Sequence, residues 1–132
     1  MVHKQFNIGD FLIEIKNASR AHKASIIYRN ENSISHILKI LYNEGLINGY
    51  KYLYSNTKIE ILFKYSFEGA AIKDIEIISK PGRRIYYTLD NILAVKYKNP
   101  SVLYIISTPF GIVSSNQAIS YGTGGEVICS IT

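Results

Sequence analysis

Residues Ser101–Thr132 read SVLYIISTPFGIVSSNQAISYGTGGEVICSIT, and the rest of the chain is organised around them. Val102 to Ile106 form an unbroken run of β-branched, aliphatic and aromatic residues, the mark of a strand buried on both faces. Ser107, Thr108 and Pro109 interrupt the run, and Gly111 lets the chain reverse. Ser114 or Ser115 is placed to cap a short helix carrying Ala118 and Ile119. Gly122, Gly124 and Gly125 end that helix and open a closing strand, in which alternation puts Val127, Cys129 and Ile131 on one face. The loop therefore offers small hydroxyls at the end of a stiff sheet, with Glu126 starting the neighbouring strand. This pattern suits recognition and shows no bond-breaking machinery.

Working back from there, Ile72 to Ser79 reads as a strand, followed by Lys80-Pro81-Gly82-Arg83. Proline at the second and glycine at the third turn position specify a type II turn, and Arg84 to Thr88 returns as the partner strand. Leu89 to Leu93 reads as a single helical turn before the surface loop Lys98-Asn99-Pro100. Ser66 to Ala71 is short, small and contains Gly69, which marks a boundary between two lobes, residues 1–66 and 67–132.

In the first lobe, Asn7 and Asp10 suit a helix N-terminus, and Ile8, Phe11, Leu12 and Ile15 follow at helical spacing. Lys16 and Arg20 share another face and, with Lys4, Lys23 and Arg29, would make a basic edge; the plainer alternative is solvated charge on an exposed helix. Ala24 to Tyr28 is a strand. Asn30 to Ser33 supply capping residues for a second helix with Ile34, Ile37, Leu38 and Leu41 on its apolar face, and Gly45 ends it. Leu46 to Tyr54 and Lys58 to Tyr65 flank Ser55-Asn56-Thr57 as a hairpin. The expected class is α+β: an N-terminal α-β-α-β-β lobe and a C-terminal lobe of mostly antiparallel strands with a short helix.

A chain of 132 residues holds one domain or two very small ones sharing a core. With 47% hydrophobic and 19% charged residues it should fold. No apolar run approaches the ~18–20 residues that span a bilayer. The opening MVHKQFNIGD lacks a signal or transit pattern, so the expectation is that the protein acts where it is made or after loss of a leader. The net charge is +5, and its excess is N-terminal: residues 1–66 carry nine Lys/Arg against five Asp/Glu, and residues 67–132 carry six against five. That balance favours a polyanionic partner, nucleic acid or an acidic membrane surface. One cysteine makes no intramolecular disulfide and points to a reducing compartment. Abundant Ile, Tyr, Asn and Lys are the residues of AT-rich codons, which points to an organelle or an AT-rich bacterium.

Gly122 to Glu126 lacks the Lys-Ser/Thr of a phosphate loop and leads into a strand rather than a helix, so tight turns account for it better. Cys129 lies on an apolar strand face, and His3, His22 and His36 all belong to the other lobe; neither a nucleophile nor a metal-ligand spacing emerges. Arg83 and Arg84 adjoin Tyr86 and Tyr87, and cations interleaved with aromatics hold phosphates and stack on bases. One of the two tyrosines should be core and the other exposed, since neighbours on a strand point oppositely.

Together these stretches resemble the bacterial and organellar small-subunit ribosomal protein numbered eight, from about Phe6 to Thr132. The segment from Ser107 onwards is similar to that family's Ser-Thr-Ser-x-Gly loop and its Gly-Gly-Glu-x-(Ile/Leu)-Cys ending. Ile15-Lys16-Asn17, Glu44 to Ile47 and Ser79 to Tyr86 (SKPGRRIY) match in order and spacing. The resemblance implies a non-enzymatic, cofactor-free protein that binds the central domain of small-subunit rRNA beside neighbouring ribosomal proteins and supports assembly. Carried over, Ser107 and Thr108, with Pro109 in the same loop, would meet an extruded base and sugar edges. Glu126 would accept from a ribose or base amine, and Tyr86 would lie against the RNA. Lys4, Lys16, Asn17, Lys23, Lys80, Arg83 and Arg84 would lie near the RNA backbone.

Four positions depart from the family pattern. Pro109 stands where serine is usual, Phe110 replaces a basic residue, Glu14 stands where a cation is common and Arg29 replaces a proline. The resemblance then implies weaker autonomous RNA binding, offset by neighbouring proteins or an altered RNA, as in a mitochondrial ribosome; a plastid or bacterial cytoplasm is the alternative setting. Two rival readings are an RNA-binding translational repressor outside the ribosome and a small α/β enzyme using Cys129 or Glu126.

Overall fold

The computed structural model describes residues 8–132, so the expected Asn7 cap, His3 and Lys4 lie outside the described residues. Helix α1 (Ile8–Arg20) buries Phe11, Leu12, Ile15, Ala18 and Ser19 on one stripe. Strand β1 (Ser25–Arg29) leads to α2 (Asn32–Asn43), and β2 (Ile47–Leu53) and β3 (Lys58–Phe63) follow. These strands form an antiparallel sheet in the order β1-β3-β2. The β2–β3 turn is tight, with Tyr54, Ser55 and Asn56 all at positive φ. No side chain caps α2: Asn30, expected among its caps, instead donates from Nδ2 to the Asn56 carbonyl at 2.7 Å and braces that turn.

The boundary segment folds into a small hairpin of β4 (Tyr65–Ser66) and β5 (Gly69–Ala70). Beyond it come β6 (Ile75–Ile77), β7 (Tyr86–Tyr87), α3 (Leu89–Lys98), β8 (Leu103–Thr108), β9 (Gly111–Ser114), α4 (Ser115–Tyr121) and β10 (Gly125–Ile131). The second sheet runs β6-β10-β8-β9, with β7 also on β10, and all its pairings are antiparallel. The class is thus α+β.

Four local expectations are corrected. The strand expected over Ile72 to Ser79 shrinks to β6 and does not pair with β7; both pair with β10, β6 at Cys129–Ile131 and β7 at Gly125–Glu126. Ser79 explains the detour, because its hydroxyl accepts from Ile85 N (3.0 Å) and faces Ile85 O (3.3 Å), pinching off residues 80–84. Gly82 is not among the positive-φ glycines, so the turn, closed by reciprocal Lys80–Arg83 backbone bonds at 2.9 Å, is not type II. Helix α3 has ten residues, not one turn. Thr88 caps it, Asp90 and Lys96/Lys98 complement its dipole, and only Ile92 is fully buried, which leaves the periodicity faint. Finally, Val127 does not share a face with Cys129. A bulge at Ile128 sets Val127 opposite Ile106 and Cys129 opposite Ile105, neighbours that point to opposite faces of β8.

That bulge lets the second sheet serve two cores. Ile105, Cys129 and Ile131 join Phe11, Leu12, Ile15, Ile37, Ile59 and Ile61 in a cluster drawn from both halves of the chain. Ile106, Val113, Ile92 and Ala118 form a second cluster under α3 and α4. A sheet packed on both faces has its end and rim left for binding.

Candidate nucleic-acid interface

Strand β10 lies between β7 and β8, and at Glu126 the register lines up three of the expected contact residues. Glu126 stands opposite Tyr86 on one side and Ser107 on the other. Directly opposed residues share a face, so these three side chains form a row across the sheet. Tyr86 is 67% exposed, whereas Tyr87 packs beside Tyr104 with ring centroids 6.3 Å apart, which decides between the two tyrosines. Ser107 is half-buried, and among the described residues its hydroxyl has no hydrogen-bond partner.

Two glycines permit this closeness. A Cβ on Gly125 would collide with the Ser107 carbonyl, and one on Gly124 with the Tyr87 carbonyl. The Gly-Gly pair therefore lets β10 slide between its neighbours.

Thr108 is already engaged. Its Oγ1 donates to Gly111 O at 2.8 Å and accepts from Phe110 N at 3.1 Å, so it holds the β8–β9 turn and keeps only acceptor capacity for a ligand. Pro109 is exposed at the turn's tip. Arg84 donates from Nη1 to Glu126 Oε2 at 3.3 Å. Lys80 and Arg83 project from their turn, exposed and, among the described residues, without an ion-pair partner.

The cations of α1 and β1 are distributed differently. Lys16 Nζ and Arg20 Nη2 lie 3.1 and 3.2 Å from Asp74 Oδ1. The Lys16 hydrogen bond holds the Asp74 carboxyl below its usual range. Arg29 pairs with Glu31 at 3.6 Å. Of the expected basic edge, the two charges of Lys16 and Arg20 are offset only by the one of Asp74, an aspartate 54 residues beyond Arg20 that no local spacing announces, and that of Arg29 by Glu31. Asn17 and Lys23 lie near the far end of α1, where the Lys23 carbonyl accepts from the Tyr65 hydroxyl at 2.6 Å.

An open groove of about 1050 Å³ runs between α1 and the second sheet. Lys16, Lys80, Arg84, Ser107 and Glu126 line it, together with Asp74 and Ser79. Tyr86, Thr108, Pro109, Arg83, Asn17 and Lys23 lie outside its lining, and Lys4 lies outside the described residues. The catalytic alternative loses its nucleophile here: Cys129 is fully buried, and burial pushes its thiol up to about 12. Among the described residues no group of His, Cys, Asp or Glu is arranged to hold a metal ion.

The family model for ribosomal protein S8 matches residues 7–132. Small ribosomal subunit protein uS8 of Campylobacter hominis is 39% identical over 127 residues, covering 94% of this chain and 95% of the relative. The uS8 of Allorhizobium ampelinum is 37% identical over 127 residues, with the same coverage, and that of Rickettsia canadensis is 34% identical over 128 residues, covering 95% and 96%. These relatives are bacterial. The chain belongs to the ribosomal protein S8 family, whose members are structural proteins of the small ribosomal subunit and not enzymes.

Proposed function

We propose that this protein is a structural constituent of a small ribosomal subunit, binding the central domain of its rRNA and supporting assembly there, with neighbouring ribosomal proteins around it. The observation that carries this reading is the Tyr86–Glu126–Ser107 row: an exposed ring, an acceptor and an uncommitted hydroxyl on three adjacent strands. A donor–acceptor row on a rigid sheet suits base and ribose edges, which carry the specificity in RNA recognition. Lys80 and Arg83 on their free turn suit phosphates, which add affinity without reading sequence. Residues 67–132 then form the gripping lobe and residues 1–66 the lobe that lies along the RNA backbone. Lys16 contributes there only by exchanging Asp74 for a phosphate.

The AT-codon residue bias suits an organelle or an AT-rich bacterium alike, and the departures at Pro109 and Phe110 favour a mitochondrial ribosome as the setting, within the bacterial-type lineage of the relatives. Two measurements test the proposal. The protein should co-sediment with small subunits from a mitochondrial fraction. Ser107→Ala with Thr108→Ala should weaken binding to a central-domain rRNA fragment by roughly 2–6 kcal/mol, since each lost contact costs about 1–3 kcal/mol. Unchanged affinity in a gel-shift titration removes the loop from the interface.

A further inference from the structure

Two aromatic rings sit in the open beside the hydroxyl loop. Phe110 is 67% and Tyr121 55% exposed, and their centroids are 5.4 Å apart at a 40° tilt. Both positions are rigid. Phe110 is held at the tip of a turn whose ends, Thr108 and Gly111, are paired strand residues, and its amide is bonded to Thr108 Oγ1. Tyr121 ends α4, a helix fixed at its start by a Ser114/Gln117 capping box and at its end by left-handed Gly122. Exposing two neighbouring rings sacrifices burial that either would gain in a core.

The surroundings indicate what covers them. Residues 107–125 contain no charged side chain, so the turn and helix that carry the rings supply no phosphate-binding cation of their own. The neighbours of the rings along the chain are uncharged hydroxyls and amides, Thr108, Asn116, Gln117 and Ser120. Within the last thirty residues these are the two exposed large apolar side chains; Leu93 and Tyr97 are also exposed on α3, which packs against α4. A pair of contacting, exposed rings on a stretch without charge matches the uncharged face of a nucleobase.

We infer that Phe110 and Tyr121 form a stacking platform for an unstacked base of the bound RNA, adjoining the Ser107–Glu126 row. This rests on the RNA-binding reading above and adds a second kind of contact to it. Because stacking moves no counterions, it has a signature that phosphate contacts lack.

The test measures binding of the full-length chain to a central-domain rRNA fragment across a salt series. Phe110→Ala and Tyr121→Ala should each weaken binding about five- to hundredfold while leaving the slope of log K against log salt unaltered. Phe110→Tyr and Tyr121→Phe, which keep the rings, should restore affinity. RNA carrying 5-iodouridine at unpaired positions should photo-cross-link to one of the two residues. Wild-type affinity in both alanine variants, with no cross-link, overturns the platform. If those variants bind RNA normally but fail to enter subunits, the rings face a protein and the inference is equally overturned. If the wild-type chain itself does not bind the fragment, the RNA-binding reading falls first, and the platform with it.

Discussion

Arg84 and Glu126 are each other's partner, the guanidinium Nη1 resting 3.3 Å from the carboxylate Oε2. Both are expected RNA contacts, one through phosphate and one through a ribose or base amine. In the free chain they neutralise one another, so an RNA that contacted either would have to compete with the other. The Arg84 side chain is 52% exposed, and ion pairs this open contribute at most about 1 kcal/mol to folding. The pair thus presets the two side chains at little cost to their release.

Arg84→Ala should accordingly lower stability by less than about 1 kcal/mol in urea denaturation. It should also flatten the salt dependence of RNA binding by roughly 0.7–0.9 in log–log slope, one phosphate contact's worth. Glu126→Gln frees the guanidinium and should steepen the slope. Identical slopes in all three proteins would place this pair away from the RNA.

How much of this is legible in the sequence follows from the range of the interactions involved. Phe11, Leu12 and Ile15 declare their buried face through helical spacing alone, and Leu103, Ile105 and Ile106 their burial on opposite faces through continuity, while Val102 falls outside the strand and Tyr104 is half-buried. Ser107, Glu126 and Tyr86 can be identified one by one, but their alignment depends on a register shared by three strands. The bulge at Ile128 reverses the face of Val127, and period-two alternation has no means of signalling it. Helix α3 is longer than its spacing suggests because a helix burying one residue leaves little pattern. Asp74 gives no local sign of its role because its partners, Lys16 and Arg20, are on α1, more than fifty residues earlier in the chain. Interactions within one helical turn or one strand are readable, and those set by tertiary register are not.

Asp74, like Glu60, contributes to the acid side of stability. Its carboxyl is held low chiefly by the Lys16 hydrogen bond, burial opposing more weakly. A depressed folded-state pKa means that the unfolded chain takes up the proton first as pH falls. The stabilisation is therefore present above the unfolded value of about 3.9 and is lost as pH drops through the lower folded value. Asp74→Asn should show a shallower loss of stability below about pH 4 than the wild type, read from urea midpoints at about pH 6 and about pH 3. Parallel pH profiles would mean that the clasp contributes nothing.

Cys129 acts on the alkaline side. With its thiol pushed up to about 12 by burial, the folded chain keeps its proton while an unfolded thiol loses it near about pH 8.5. That contribution is full below the unfolded value and is lost as pH rises towards the folded one. Between about pH 8 and pH 10 the wild type should lose more stability than Cys129→Ala, although the alanine variant starts lower because it leaves a cavity. Alkylation of native Cys129 at about pH 8 should proceed only through unfolding, accelerating with urea. Rapid native-state labelling would contradict its place in the core.

The Gly-Gly pair offers the sharpest structural test, since alanine at different glycines separates steric contact from backbone freedom. Neither Gly124 nor Gly125 has a positive φ, so strain is not the issue; an added methyl would meet the Tyr87 and Ser107 carbonyls, which are backbone and have little room to yield. Overpacking of this kind costs about 1–3 kcal/mol or more, and here it would also push β7 or β8 away from Glu126. A methyl added at Gly82 would meet nothing within 4 Å, and its φ is not positive, so Gly82→Ala should be neutral or stabilise by about 0.4–1 kcal/mol through the unfolded chain. Gly122, left-handed at φ 69 with open space around it, is the intermediate case, at about 1 kcal/mol destabilising. Urea midpoints should therefore rank Gly82→Ala above Gly122→Ala above Gly124→Ala and Gly125→Ala. RNA affinity should fall in the last two beyond what lost stability explains, because widening either strand gap breaks the row that Tyr86, Glu126 and Ser107 make. Should Gly125→Ala fold and bind like the wild type, the close approach of β10 to β8 is not what aligns Ser107 with Glu126.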